Sequence, residues 1–374
     1  MQKPKSWRGS VEAAAKGTFL IPILLAFLLQ RAFAGELITL SSEQTPKETA
    51  KPKAPRARPA AEKAPSKRAS TATIGFRPED RWRIRPGFQF RTSYDSNIHR
   101  EPPGKRDEDL ILHYIPSVHV TRGGSRLDVR AGYDMDFQEY LRNSDESSFN
   151  HDAFARVKFT GEKLKVKVRD QFRSATAYAT SEISERRAYI RNDFQPEVGY
   201  RLGPKVTAAA LYQNYLLDYR ESGLDENSYI INDLGGRFYY HATPKLDLYV
   251  EGTGGITDYY RSDAYDHQGF RVLGGAVGKL TTKVLLDVQS GFKAQFYDDD
   301  GINTFNNWVG QAVLQYRLAP KIDISLRGKR DKEESAYRNA VWYSVNMLGV
   351  NLLYRFSPHI LFEIDGSLQR NRYS

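Results

Sequence analysis

A chain of 374 residues with a mean hydropathy of −0.59 is too long for one small domain and too polar for a helical membrane protein. Residues 1–73 hold 13 Lys/Arg against 5 Asp/Glu, while the rest of the chain holds 42 against 40, so the net charge of +10 belongs mostly to the N-terminal stretch. A nearly neutral body excludes a nucleic-acid-binding domain, which needs its basic excess on the folded part.

Residues 1–34 read as a secretory signal peptide. Lys3, Lys5, Arg8 and Lys16 precede an apolar run from Gly17 to Leu29, and Ala32-Phe33-Ala34 has the small-x-small form of a cleavage site. Residues 35–80 are rich in Pro, Ala and Lys, as in Lys51-Pro-Lys-Ala-Pro-Arg-Ala-Arg-Pro59, and carry no apolar period to bury; they read as a disordered periplasmic tether. Glu36-Leu-Ile-Thr-Leu40 loosely resembles the box that energy-coupled receptors present to their motor. The interval from Leu40 to the first strand near Trp82 is too short for the plug domain of such receptors.

Residues 81–374 alternate. In Leu127-Asp-Val-Arg-Ala-Gly-Tyr-Asp-Met-Asp-Phe137 the odd positions are mostly apolar and the even ones mostly charged, a period of two that only a strand satisfies. The same pattern recurs at Leu164–Phe172, Leu246–Gly252, Val284–Phe296 and Ile322–Gly328. A turn motif also repeats: Arg201-Leu-Gly-Pro-Lys-Val206, His241-Ala-Thr-Pro-Lys-Leu246, Arg317-Leu-Ala-Pro-Lys-Ile322 and Arg355-Phe-Ser-Pro-His-Ile360. With looser members its basic position falls at Arg126, Lys163, Lys205, Lys245, Lys283, Lys321 and His359, every 37 to 42 residues. Each period holds two strands, one tight turn and one long polar loop, as at Arg142–Ser148, Arg220–Asn227, Asp298–Gly301 and Asp331–Ser335.

Short turns on one side and long loops on the other predict an all-β fold, an antiparallel transmembrane up-and-down β-barrel of about 16 strands in the Gram-negative outer membrane, reached after Sec-type export. Fifteen strands are visible, ending at Ile360–Gln369 with Asn371–Ser374 as loop. Even strand numbers are the rule, so either a sixteenth strand missing from this sequence or closure by an irregular partner is expected. Tyr133, Phe137, Tyr140, Tyr212, Tyr215, Tyr219, Phe238, Tyr240, Phe292, Phe296, Trp308, Tyr316, Trp342 and Tyr354 are expected to form aromatic girdles at the lipid headgroups.

Tyr94-Asp-Ser-Asn-Ile98, a charged loop and Asp109-Leu-Ile-Leu-His-Tyr-Ile-Pro116 together resemble a family of outer-membrane β-barrel porins often encoded with exopolysaccharide biosynthesis genes. The resemblance covers roughly residues 80–374. It implies a barrel that helps a secreted polysaccharide cross or leave the envelope, with polysaccharide and polysaccharide-export proteins as partners beside membrane lipid.

No Ser/His/Asp arrangement has motif support. His113 and His119 lie too far apart along one strand to share a metal, and Asp298-Asp-Asp-Gly301 lacks an oxygen ligand at Phe296 for a calcium loop. No cofactor, metal or catalytic residue is expected. The expected activity is passage through a hydrated lumen walled by Arg130, Asp134, Lys167, Arg169, Arg237, Glu251, Arg271, Asp287, Lys293 and Arg327. The alternatives are a non-conducting structural or assembly barrel of an export machine and, further off, an outer-membrane enzyme.

Overall fold

The computed structural model describes residues 81–99, 104–178, 186–220, 225–260, 265–299, 301–335, 341–357 and 360–374. The expected signal peptide, tether, His359 and parts of the loops at 220–227 and 298–301 lie outside these residues. What is described is one sheet of fifteen antiparallel strands in which every strand pairs with its neighbours in sequence. The strands are β1 (Trp82–Asp95), β2 (Asp109–Arg122), β3 (Leu127–Tyr140), β4 (Ser148–Thr160), β5 (Leu164–Ala177), β6 (Arg187–Arg201), β7 (Val206–Tyr219) and β8 (Tyr229–Thr243). They continue as β9 (Leu246–Tyr259), β10 (His267–Lys279), β11 (Val284–Tyr297), β12 (Phe305–Ala319), β13 (Ile322–Glu334), β14 (Trp342–Arg355) and β15 (Leu361–Tyr373). At 13 to 15 residues each strand exceeds the nine to eleven a tilted strand needs to cross a bilayer.

The repeated turn motif has a structural cause. The carbonyl of its basic residue accepts a backbone bond from the first residue of the next turn along the sheet. Arg201 N donates to Lys163 O at 2.8 Å, His241 N to Lys205 O at 2.8 Å, Lys279 N to Lys245 O at 2.7 Å and Arg317 N to Lys283 O at 2.9 Å. Each turn is thus tied to its neighbour, which carries the register from hairpin to hairpin. Gly278 ends β10 at φ 140°, where a Cβ would stand 2.1 Å from Lys245 O, so this position needs glycine.

The two faces differ as the alternation requires. One carries large exposed apolar groups, such as Phe238, Val250, Val272, Trp308 and Leu348. The other is charged, and it is the concave one, because its side chains reach across intervening strands. Tyr239 of β8 bonds Glu197 of β6, Tyr249 of β9 bonds Gln289 of β11, and Lys293 of β11 reaches Asp331 of β13. Tyr249 lies over the bare backbone of Gly275, where a Cβ would come within 2.4 Å of its ring.

Three expectations need correction. Asp331–Glu334 is the end of β13 and not loop, and Asn371–Tyr373 belongs to β15, where it pairs with Tyr343–Val345. Tyr140, Tyr215, Tyr219 and Trp342 are not girdle residues. The tyrosines share the inner face, in register with Ile111, Asp193 and Tyr189, and Trp342 packs on Phe305 of that face. The fifteen strands expected are the ones described, and β1 and β15 are the edges of the described sheet, each paired on one side.

Candidate functional site

The strand registers put all ten residues singled out in the sequence on the concave face, six of them in two groups and four apart. Arg237, Glu251 and Arg271 come together. Glu251 is 2% exposed and sits between the two guanidiniums, bonded by Arg237 Nε at 2.7 Å and by Arg271 Nη2 at 3.1 Å. Arg237 also stacks over Tyr249, 4.8 Å from the ring centre, and its Nη1 donates to Tyr239 Oη. Lys167 joins this group through Glu197, its Nζ 2.9 Å from Glu197 Oε1, and Glu197 in turn lies 3.9 Å from Arg237. The network crosses β5, β6, β8, β9 and β10 and ties three cations to two carboxylates.

Arg130 and Arg169 form a second group with Arg156, which the sequence reading did not single out. Arg130 stands opposite Arg156, and Arg156 opposite Arg169. The signal was available: extending the alternation from the turn at 160–164 puts Arg156 beside Arg169. The remaining residues stand apart. Asp134 pairs with His119 at 3.0 Å, Lys293 with Asp331 at 3.4 Å and Arg327 with Asp365, while Asp287 faces Val277 and Val313. A cleft of about 430 Å³ runs between the first two groups, lined by Arg156, Lys158, Lys167, Arg169, Arg237 and Glu251 among others.

The loop end of the concave face is of another kind. Tyr189, Leu217, Tyr219 and Ala175 pack together, with Tyr215 and Tyr229 against them. β12 and β13 pair only up to Arg330, and beyond it β13 stays with β14 alone. The freed tip bends inward, so that its apolar-side residues lie on the inner wall. Trp342 packs edge-on against Phe305, 5.1 Å between centres, and its Nε1 donates to Asn303 O at 3.0 Å. Lys332 and Glu334 are paired and buried there, with Glu334 accepting from Tyr259 Oη at 3.3 Å and standing 3.4 Å from His267 Nε2.

The first loop also turns inward. Asn97 N donates to Asp95 Oδ1, Ile98 is 1% exposed against Ile111 and Tyr140, and Tyr178 Oη donates to Ile98 O at 2.5 Å. At its rim Glu108 accepts from Tyr94 and from Arg142 Nη1. These two bonds, the tyrosine's first, hold its carboxyl below the usual glutamate range. His113 lies between Ser93 and Asp136 at 3.0 Å each. Among the described residues no three His, Asp or Glu side chains are grouped to hold a metal ion.

An up-and-down sheet of bilayer-spanning strands, apolar outside and charged on its concave face, with tight turns at one end and long loops at the other, is the wall of a porin-like β-barrel of the outer membrane. Residues 225–374 match the family described as "Putative beta-barrel porin 2". That span does not include Tyr94–Ile98 or Asp109–Pro116, on which the resemblance in the sequence rested. Solved barrels are similar at low identity. The siderophore receptor PirA from Pseudomonas aeruginosa is 12% identical over 79% of this chain and 57% of its own, with a TM-score of 0.39. The ferric yersiniabactin uptake receptor FyuA from Yersinia pestis is 9% identical over 79% of this chain and 57% of its own, at 0.38. OpdQ from Pseudomonas aeruginosa is 9% identical over 78% of this chain and 93% of its own, at 0.38. The chain spans little more than half the length of the siderophore receptors. No curated protein matches it.

Proposed function

We propose that the barrel is a water-filled channel by which an exopolysaccharide leaves the cell, passing without chemical change, after Sec-type export has delivered the chain to the periplasm. The observation that carries the channel reading is the middle of the concave face. Arg130, Arg156 and Arg169 are exposed there rather than packed, and a row of cations with so few counter-charges is tolerated only where water solvates it. The polysaccharide rests on the resemblance of Tyr94–Ile98 and Asp109–Pro116. Purified protein in planar bilayers should give discrete steps of conductance. A folded barrel that stays electrically silent overturns the channel. Deleting the gene should remove polysaccharide from the cell surface; unchanged surface polysaccharide overturns the cargo and leaves the channel standing.

A second reading, a non-conducting assembly barrel whose tether at 41–73 holds polysaccharide-export proteins, is favoured by one observation: the inward tip of β13–β14. Replacing both Lys332 and Glu334 by Ala removes the polar anchor of that tip. A channel narrowed by the tip should conduct more in this variant, whereas a scaffold should be silent in both forms.

A further inference from the structure

The inner wall of β3–β6 carries its charges in rows, because residues opposite one another on neighbouring strands share a level. In the row nearer the turns, Asp128, Lys158, Lys167 and Glu197 stand side by side, two cations between two carboxylates. In a row nearer the loops, Asp134, Asp152, Arg173 and Arg191 again balance. Between them runs Thr121, Arg130, Arg156, Arg169, Gln195, with three cations and no carboxylate.

Like charges directly opposite one another destabilise a strand pair. The flanking rows contain such pairs as well, Lys158 facing Lys167, Asp134 facing Asp152 and Arg173 facing Arg191, but each row offsets them with an equal number of opposite charges. Arg130 has one carboxylate in reach, Asp128 at 3.3 Å on its own strand. Among the described residues no carboxylate lies within ion-pair distance of Arg156 or Arg169. Arg156 instead stands 5.7 Å from the ring centre of Phe154, two residues along the same face. All three guanidiniums are exposed into the lumen. With neighbouring strands about 4.8 Å apart, the row spans about 10 Å and presents planar donor forks suited to carboxylates.

We propose that this row is a binding track for the carboxylates of an acidic polysaccharide. The proposal rests on the polysaccharide channel reading and narrows its cargo to a polymer bearing uronate-type charge. A guanidinium takes a carboxylate by two parallel N–H···O bonds, and three in line take successive or alternate carboxylates of one chain, so the polymer supplies the anions that the wall omits. The Phe154 ring beside the row offers an apolar face to a sugar ring. Contacts of this kind, repeated and exposed, hold a moving chain without trapping it.

The test uses the full-length barrel in detergent and a defined probe, oligogalacturonate, against a neutral galactose oligomer of equal length and against acetate. Calorimetric titration should show binding of oligogalacturonate, weakening steeply with salt, and none of the neutral oligomer. Acetate, with one carboxylate, should bind far more weakly. Arg156→Gln with Arg169→Gln should weaken oligogalacturonate by about tenfold or more. Lys321→Gln with Lys329→Gln, the same loss of charge on β13 and the turn that opens it, should leave it unchanged. Retention of the heat-stable barrel band on gels shows that each variant is folded, and the salt dependence of the unaltered protein needs no variant. Equal binding of neutral and acidic oligomers, or equal loss in the β13 variant, overturns the track. Because titration needs no current, a silent bilayer defeats the channel reading while binding still decides the track.

Discussion

The walls of β3–β6 and β8–β11 are built from the same residue types and solve opposite problems. On β8–β11 a single carboxylate, Glu251, is wedged between Arg237 and Arg271, with Tyr239 and Tyr249 closing over the group. On β3–β6 three arginines stand in a row in the open. Buried charge must be paired, because removing water from an ion costs several kcal/mol unless a counter-charge and hydrogen bonds replace it. Exposed charge needs no partner and remains free for a ligand. The first wall stabilises the barrel, and the second is available for recognition.

The largest way to break this contrast is to make the paired wall unpaired. Glu251→Gln leaves Arg237 and Arg271 facing each other with their common acceptor neutralised. Breaking a fully buried pair costs about 3–5 kcal/mol. Both guanidiniums keep some contact with lumen water, so the expected loss is smaller, about 2–3 kcal/mol. Urea unfolding of the barrel in lipid vesicles measures it, and an unchanged midpoint would show that this group is wet and weakly coupled.

The converse change sharpens the contrast. Gln195 stands directly opposite Arg169 at the end of the arginine row. Gln195→Glu places a carboxylate on β6, as Glu197 already does in the row nearer the turns, and the row becomes partly self-neutralised. A cross-strand ion pair is worth about 0.2–1 kcal/mol, and the loss of the Gln195 amide's bonds to Asp193 at 2.9 Å opposes it, so the urea midpoint should move little and the readout is binding. Oligogalacturonate should bind the variant more weakly, and unchanged binding would take from the row its meaning as a set of free cations.

How far the sequence shows this design depends on height in the barrel. β3, β5, β9, β11 and β13 start where the alternation placed them, at Leu127, Leu164, Leu246, Val284 and Ile322, because the turn motif marks those ends. Their loop ends run past the expected limits for a physical reason. There the inner face is apolar or aromatic, as with Ala175, Leu217 and Tyr219, so inside and outside no longer differ in polarity and the period of two fades. Tyr140, Tyr215 and Tyr219 were assigned to the lipid girdle on the same account. The charged run Asp331–Glu334 reads as loop, since nothing local reveals that β13 leaves β12 beyond Arg330 and turns its outer side inward. The arginine row was half legible. Each arginine sits on the charged face of its own strand, but their alignment is a property of register across three strands, which is set by the turns and not by any one segment.

The smallest expected effect calibrates both walls against a pair in open water. Glu108 and Arg142, at the rim, are bonded at 2.7 Å and are both exposed to solvent. The carboxyl of Glu108 is held below its ordinary value first by the Tyr94 hydroxyl and then by Arg142. A carboxylate with a lowered folded-state pKa stabilises the fold above its unfolded value, and that contribution disappears as the pH falls through the folded value. The clasp between the first two loops should therefore hold at neutral pH and open only below the ordinary glutamate range. Hydrogen exchange at Asn143, whose amide bonds Asp109 beside the clasp, should quicken there after correction for the intrinsic pH dependence of exchange. Glu108→Gln should reduce that pH dependence, the remainder belonging to the Asp109 carboxyl that accepts the Asn143 amide, while leaving the urea midpoint nearly unmoved, because solvent and salt screen an exposed pair. A midpoint shift as large as that of Glu251→Gln would mean that exposure does not separate the structural charges of this barrel from the free ones, and the contrast between its two walls would fall with it.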